Sequence, residues 1–194
     1  MGKGRLEAFS DGVLAIIITI MVLELKVPHE ATLESLRPLG PVLVGYIVSF
    51  TFVGIYWNNH HHLIHLVRKV GGAIMWANLH LLFWLSLLPA ATGWVGEHPH
   101  SAWPAALYGV VLFGAAVAYV LLQTIIVRDR PDDGVLRAEL GRDWKGKVSP
   151  VLYLAGIAGA FVTPWISDIC YVTVAIIWVV PDRRLARAAH AVPE

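Results

Sequence analysis

Three short runs carry side chains able to do chemistry inside otherwise apolar surroundings: Ser10-Asp11, Asn58-Asn59-His60-His61-His62, and the trio Trp76, Asn78 and His80. A carboxylate, imidazoles, amides and indole N–H groups can satisfy one another as buried donors and acceptors, relay a proton, or hold a metal ion. Each possibility demands its own geometry. Three consecutive histidines on a helix point about 100° apart and do not converge on one ion. His61 and His65 do share a face at i, i+4, as metal ligands on a helix would. No second carboxylate or cysteine is paired with them at that end, so no metal site is expected. Ser10, Asp11 and His80 are the one trio that suggests nucleophilic catalysis. Ser10 and Asp11 are adjacent on a helix and point different ways, so no nucleophile–base pair forms and no enzyme is expected.

The elements that must position these residues follow from composition. The chain has 194 residues, 57% hydrophobic and 15% charged, with a mean hydropathy of +0.63. A soluble domain carries roughly 25% charged and 45–50% apolar residues, so a polytopic membrane protein is expected. A net charge of +1 offers no basic field for nucleic acid. Cys170 is the single cysteine, which excludes an intrachain disulfide and a thiolate-rich metal cage. No cofactor is expected. Six apolar stretches are long enough to approach a bilayer crossing: Phe9–Leu25, Leu39–Leu66, Gly72–Val95, Pro104–Val127, Val148–Thr163 and Trp165–Val180. The last two, parted by little more than Pro164 and Trp165, form a tight helical hairpin or one kinked span. With few non-helical residues between the first four and no strand alternation, a β-barrel is excluded. The first span is not read as a signal peptide, because Asp11 interrupts it and no small-residue cleavage site follows Leu25.

Lysine and arginine set the orientation. With six spans, thirteen of the fifteen fall on the side of the two termini, against Lys26 and Arg37 opposite. Both termini are therefore expected in the cytoplasm of a cell-membrane protein, with a cytoplasmic loop over about 128–147 and a cytoplasmic tail over 181–194. That loop is read as a solvated segment with a short helix. The orientation also sets depth. Ser10 and Asp11 at the start of the first span, Asn58–His62 at the end of the second, and Trp76, Asn78 and His80 at the start of the third all lie near the cytoplasmic end. The cluster reads as a clamp joining three spans, or as a participant in proton or ion traffic.

On a helical wheel, Phe9, Gly12, Ile16, Thr19, Ile20 and Leu23 form a stripe opposite Ser10 and Asp11. Periodicity alone leaves that stripe facing lipid, a bundle or a pore. Val44-Gly45-Tyr46 only echoes a carbonyl filter and sits inside a span, so a conducting chain would lack that device.

The run Arg5-Leu6-Glu7-Ala8-Phe9-Ser10-Asp11 fits R-x-x-x-F-S-D and continues Gly12-Val13-Leu14-Ala15-Ile16. Together with Tyr56–His62, Trp76–Leu81, Trp84–Pro89 and Trp178–Asp182, it resembles the endolysosomal potassium-channel family, transmembrane protein 175, and its prokaryotic members in particular. The resemblance implies a cation channel favouring potassium, built as a homotetramer of single six-span subunits around a central pore lined by the first helix. It implies a hydrophobic constriction at Ile16, continued by Ile20 and Leu23, with Thr19 as the residue preferring potassium. Arg5, Phe9, Ser10 and Asp11, with Trp76, Asn78 and His80 as partners, would set the tilt of that helix. The implied partners are potassium or other monovalent cations, further copies of the chain and the bilayer, with no nucleic acid. A proton-coupled or cation transporter using Asp11 and the histidines is the alternative. It would call for inverted repeats or broken helices, which the sequence does not display.

Overall fold

The structure, a computed structural model, describes residues 2–129 and 144–180. The expectations for most of the loop over 128–147 and for the tail over 181–194 therefore lie outside the described residues. Everything regular that is described is helical. The α-helices are α1 (Lys3–Leu23), α2 (Gly40–His65), α3 (Gly72–Ser86), α4 (Leu88–Glu97), α5 (Ala102–Arg128), α6 (Trp144–Gly159) and α7 (Pro164–Val179). A 3-10 turn, Glu34–Leu39, leads into α2, and Pro41 sits in the first turn of α2, where a missing N–H costs nothing.

Four stretches of the described residues are long and apolar enough to cross a membrane: Lys3–Leu23, Glu34–His65, Gly72–Glu97 and Ala102–Arg128. The third, expected as one uninterrupted span, is broken into α3 and α4 at Leu87. Pro89 explains the break, since it lacks a backbone N–H and its ring collides with the carbonyl one turn earlier. The α6 and α7 helices are 16 residues each. They form a hairpin, not a single kinked span. Ser167 Oγ donates to the Gly156 carbonyl at 2.7 Å, Trp178 Nε1 to Ser149 Oγ at 2.8 Å and Lys145 Nζ to the Val180 carbonyl at 2.9 Å. Partners that rise along one helix fall along the other, so the two run antiparallel.

The core gathers on α5, which packs against α3, α4, α6 and α7, while α1 lies to one side against α2, α3 and α4. Close approach at α5 depends on glycine. Tyr171 of α7 is 3% exposed and lies between Gly109 of α5 and Gly156 of α6, where a Cβ at either glycine would run into its ring. Its hydroxyl is fixed by donation to the Ala105 carbonyl at 3.1 Å. Small residues at helix contacts are the usual device in membrane bundles. In an exposed helix, Gly→Ala gains roughly 1 kcal/mol of propensity. Here overpacking costs about 1–3 kcal/mol and the ring cannot retreat. Gly156→Ala is therefore expected to lower the thermal midpoint of the detergent-solubilised protein, and an unchanged or higher midpoint would contradict this packing.

Candidate functional site

Two layers of polar contacts join α1 to its neighbours. In the first, α1 and α2 pack antiparallel with matched steps of four. Asp11 Oδ1 accepts from Trp57 Nε1 at 3.0 Å. One turn earlier on α1 and one turn later on α2, Glu7 Oε1 meets His61 Nδ1 at 2.9 Å and reaches His65 Nε2 at 3.8 Å. One further turn back, Lys3 Nζ donates to the His65 carbonyl at 2.9 Å. Residues four apart share one helix face, so Lys3, Glu7 and Asp11 make one edge and Trp57, His61 and His65 the other. The His61 and His65 rings meet edge to face with centroids 4.5 Å apart.

The second layer lies deeper. Asn78 Nδ2 donates to Ser10 Oγ at 2.9 Å, and Asn78 Oδ1 is 2.7 Å from His60 Nε2. Ser10 Oγ donates in turn to the Leu6 carbonyl at 2.9 Å. Ser10 and Asn78 are 0% exposed and His60 is 1% exposed. Because the Asn78 amide nitrogen faces Ser10, its oxygen faces His60. His60 therefore carries its proton on Nε2, and its Nδ1 is a buried acceptor without a hydrogen-bond partner among the described residues.

Three of the residues expected around Asp11 are thereby located. Asn78 joins α3 to Ser10. Trp76 is 73% exposed, and His80 accepts from Trp84 Nε1 of its own helix at 3.0 Å. Asp11 instead takes Trp57, and Glu7 supplies the carboxylate that the histidine run lacked in sequence. Arg5 is exposed. A separate buried trio joins α2, α4 and α5: Ser49 Oγ lies 2.7 Å from Thr92 Oγ1 and 2.9 Å from Tyr108 Oη. Nothing in sequence singled it out, since isolated hydroxyls in apolar helices have no distinguishing spacing.

The opposite face of α1 is bare. Leu6, Ser10, Leu14, Ile17 and Met21 are buried, whereas Ile16 is 58% exposed, Ile20 44% and Leu23 75%. Phe9, Gly12 and Thr19 lie on the same exposed stripe. Thr19 Oγ1 donates to the Ile16 carbonyl at 2.9 Å, which leaves the oxygen's lone pairs on the exposed side.

This arrangement has relatives. The family model described as "Endosomal/lysosomal potassium channel TMEM175" matches residues 5–89, which contain the α1–α3 polar cluster except Lys3. A potassium channel of Chryseobacterium sp. (strain P1-3) is 52% identical over 188 residues, 97% of this chain and 98% of the relative. The chain belongs to the TMEM175 family of ion channels. Members of TMEM175 are membrane proteins and channels, not enzymes. The crystal structure of a lysosomal potassium-selective channel TMEM175 homolog from Chamaesiphon minutus superposes with a TM-score of 0.80 at 30% identity. It covers 93% of this chain and 97% of that one. A Gallus gallus protein named an endosomal/lysosomal proton channel TMEM175 is 30% identical over 67% of this chain, and the match spans 29% of that longer protein.

Proposed function

We propose that the chain is a potassium-selective cation channel of the cell membrane, without a carbonyl filter, in which four copies of α1 surround a central pore. The observation that carries this reading is the exposed Phe9–Leu23 stripe, apolar but for Thr19, on the side of α1 opposite its anchored polar face. Relatives named potassium channels support the choice of ion.

A closed cyclic assembly places equivalent residues in rings. Four Ile16 side chains would form an apolar constriction that blocks ions by dewetting when narrow. Once widened, the ring passes a cation that has shed part of its water, and potassium sheds water more cheaply than sodium. The Thr19 oxygens, with their protons already donated inward, offer acceptors one turn beyond. Ile20 and Leu23 continue the wall. The role of Ser10, Asp11 and Asn78, with Arg5 and Phe9 in the same motif, is to hold the tilt of α1. Trp76 and His80 take part on the outward side of α3, where another subunit or lipid meets them. The basic residues assign both termini to the cytoplasm.

The hydrogen-bond order favours a channel over a proton relay. The deep chain runs from His60 through Asn78 to Ser10 and ends on the Leu6 carbonyl. A carboxamide and a backbone carbonyl are poor proton carriers. Asp11 is held by an indole N–H, which cannot accept a proton. Recording from the purified protein in planar bilayers under opposed potassium and sodium gradients tests the reading. Passive current should reverse near the potassium equilibrium potential. A reversal indifferent to potassium, or saturating uptake driven by a pH gradient, would overturn it.

A further inference from the structure

Glu7, His61 and His65 have a property that the channel reading does not use. Each offers one ligand atom, and these atoms all lie within 4.8 Å of one another. We propose that the three side chains bind one divalent transition-metal ion of the zinc class, joining α1 to α2.

The donor set is two imidazole nitrogens and one carboxylate oxygen, a combination that suits zinc and its neighbours and not magnesium or calcium. Tetrahedral zinc holds such ligands at about 2.0–2.2 Å, which places donor atoms roughly 3.3–3.5 Å apart. The Glu7–His61 separation of 2.9 Å and the Glu7–His65 separation of 3.8 Å straddle that value, and the two imidazole donors lie within 4.8 Å of each other, so side-chain adjustments of up to about 1.5 Å seat an ion. The i, i+4 spacing of His61 and His65 presents both rings on one face of α2. His61 is 43% exposed and His65 47%, while Glu7 is 21% exposed. The ion therefore has a path of entry and room for water as a fourth ligand.

The surrounding charges also fit. Glu7 and Asp11 are two carboxylates four residues apart on one face of α1, and Lys3 beyond them is turned to the His65 carbonyl. A dication at Glu7 relieves the like-charge pair. It replaces the Glu7–His61 hydrogen bond with ligation and ties the beginning of α1 to the end of α2. The site stands on α1–α2 packing within one chain and is independent of whether α1 lines a pore.

The test uses the full chain, purified in detergent without a polyhistidine tag and stripped with a chelator. Equilibrium dialysis against zinc chloride, read by plasma mass spectrometry, should show one zinc per chain at micromolar free metal. Glu7→Gln, His61→Ala and His65→Ala should each weaken binding by about tenfold or more, since loss of a ligand's hydrogen-bonding partner alone already costs that much. His29→Ala removes an exposed histidine from the segment between α1 and α2 and should leave binding unchanged. Glu7→Gln keeps the side-chain shape, so an elution profile matching the wild type separates lost ligation from lost folding. No stoichiometric zinc on the wild-type chain, or zinc that all three variants retain within about twofold, would overturn the site.

Discussion

Ile16→Asn is expected to raise potassium flux by about tenfold or more and to bring the sodium-to-potassium permeability ratio towards one. Ile16 is 58% exposed, whereas the adjacent Ile17 is 3% exposed. An amide at Ile16 therefore disturbs no intrasubunit core, and the variant should fold. An apolar ring excludes ions because water cannot remain in a narrow hydrophobic throat. An amide keeps the throat wet and offers oxygen to either cation, so both the barrier and the dehydration penalty that separates sodium from potassium fall. A barrier lowered by about 1.4 kcal/mol already corresponds to a tenfold rate. The control is Val22→Asn, at a residue 43% exposed on α1 but about 120° around the helix from Ile16. It introduces the same group at the same cost in helix propensity and should leave selectivity unchanged. Liposome flux assays with paired potassium and sodium gradients read both. Wild-type currents from Ile16→Asn would remove that residue from the constriction.

Ile16 and Asp11 differ in how far sequence alone determines their surroundings. The direction of the Ile16 stripe was legible because 100° per residue on one helix is a local property. That the three polar runs share one level was legible because alternate spans reverse, and their hydrogen bonds join them. The partner of Asp11 was not legible. Depth grouped Trp76, Asn78 and His80, but azimuth divides them: residues two apart on a helix point about 160° apart. If Asn78 faces Ser10, then Trp76 and His80 must face away, and they do. Glu7 was recoverable in principle, since Glu7–Asp11 on one span and Trp57–His61–His65 on the next repeat at the same interval of four. Which repeat faces which depends on the relative rotation of two helices, and that rotation is set by packing along their whole length. The break at Leu87 needed only Pro89 to be taken at its word.

The second large effect is expected at Asn78. Asn78→Leu keeps the branched arrangement of side-chain heavy atoms but removes the amide that bridges Ser10 and His60. Ser10 loses a donor yet still donates to Leu6. His60 fares worse: its Nδ1 already has no hydrogen-bond partner among the described residues, so an imidazole 1% exposed is left with neither nitrogen satisfied there. A buried polar group stripped of its partner costs about 1–3 kcal/mol, and Ser10, which keeps its bond to Leu6, adds about 1 kcal/mol, giving roughly 2–4 kcal/mol. In a chain of this size that lowers the apparent Tm by about 5–15 °C at fixed scan rate. Ser10→Ala strips only the Asn78 amide nitrogen and should cost about half as much. The decisive comparison is the double variant Asn78→Leu/His60→Leu. Removing both partners together leaves no orphaned imidazole, so the double variant should be more stable than Asn78→Leu alone even though it carries one more substitution. If the two losses simply add, His60 draws its stability from packing and not from the amide. The α1–α3 junction would then be held by shape instead of by hydrogen bonds.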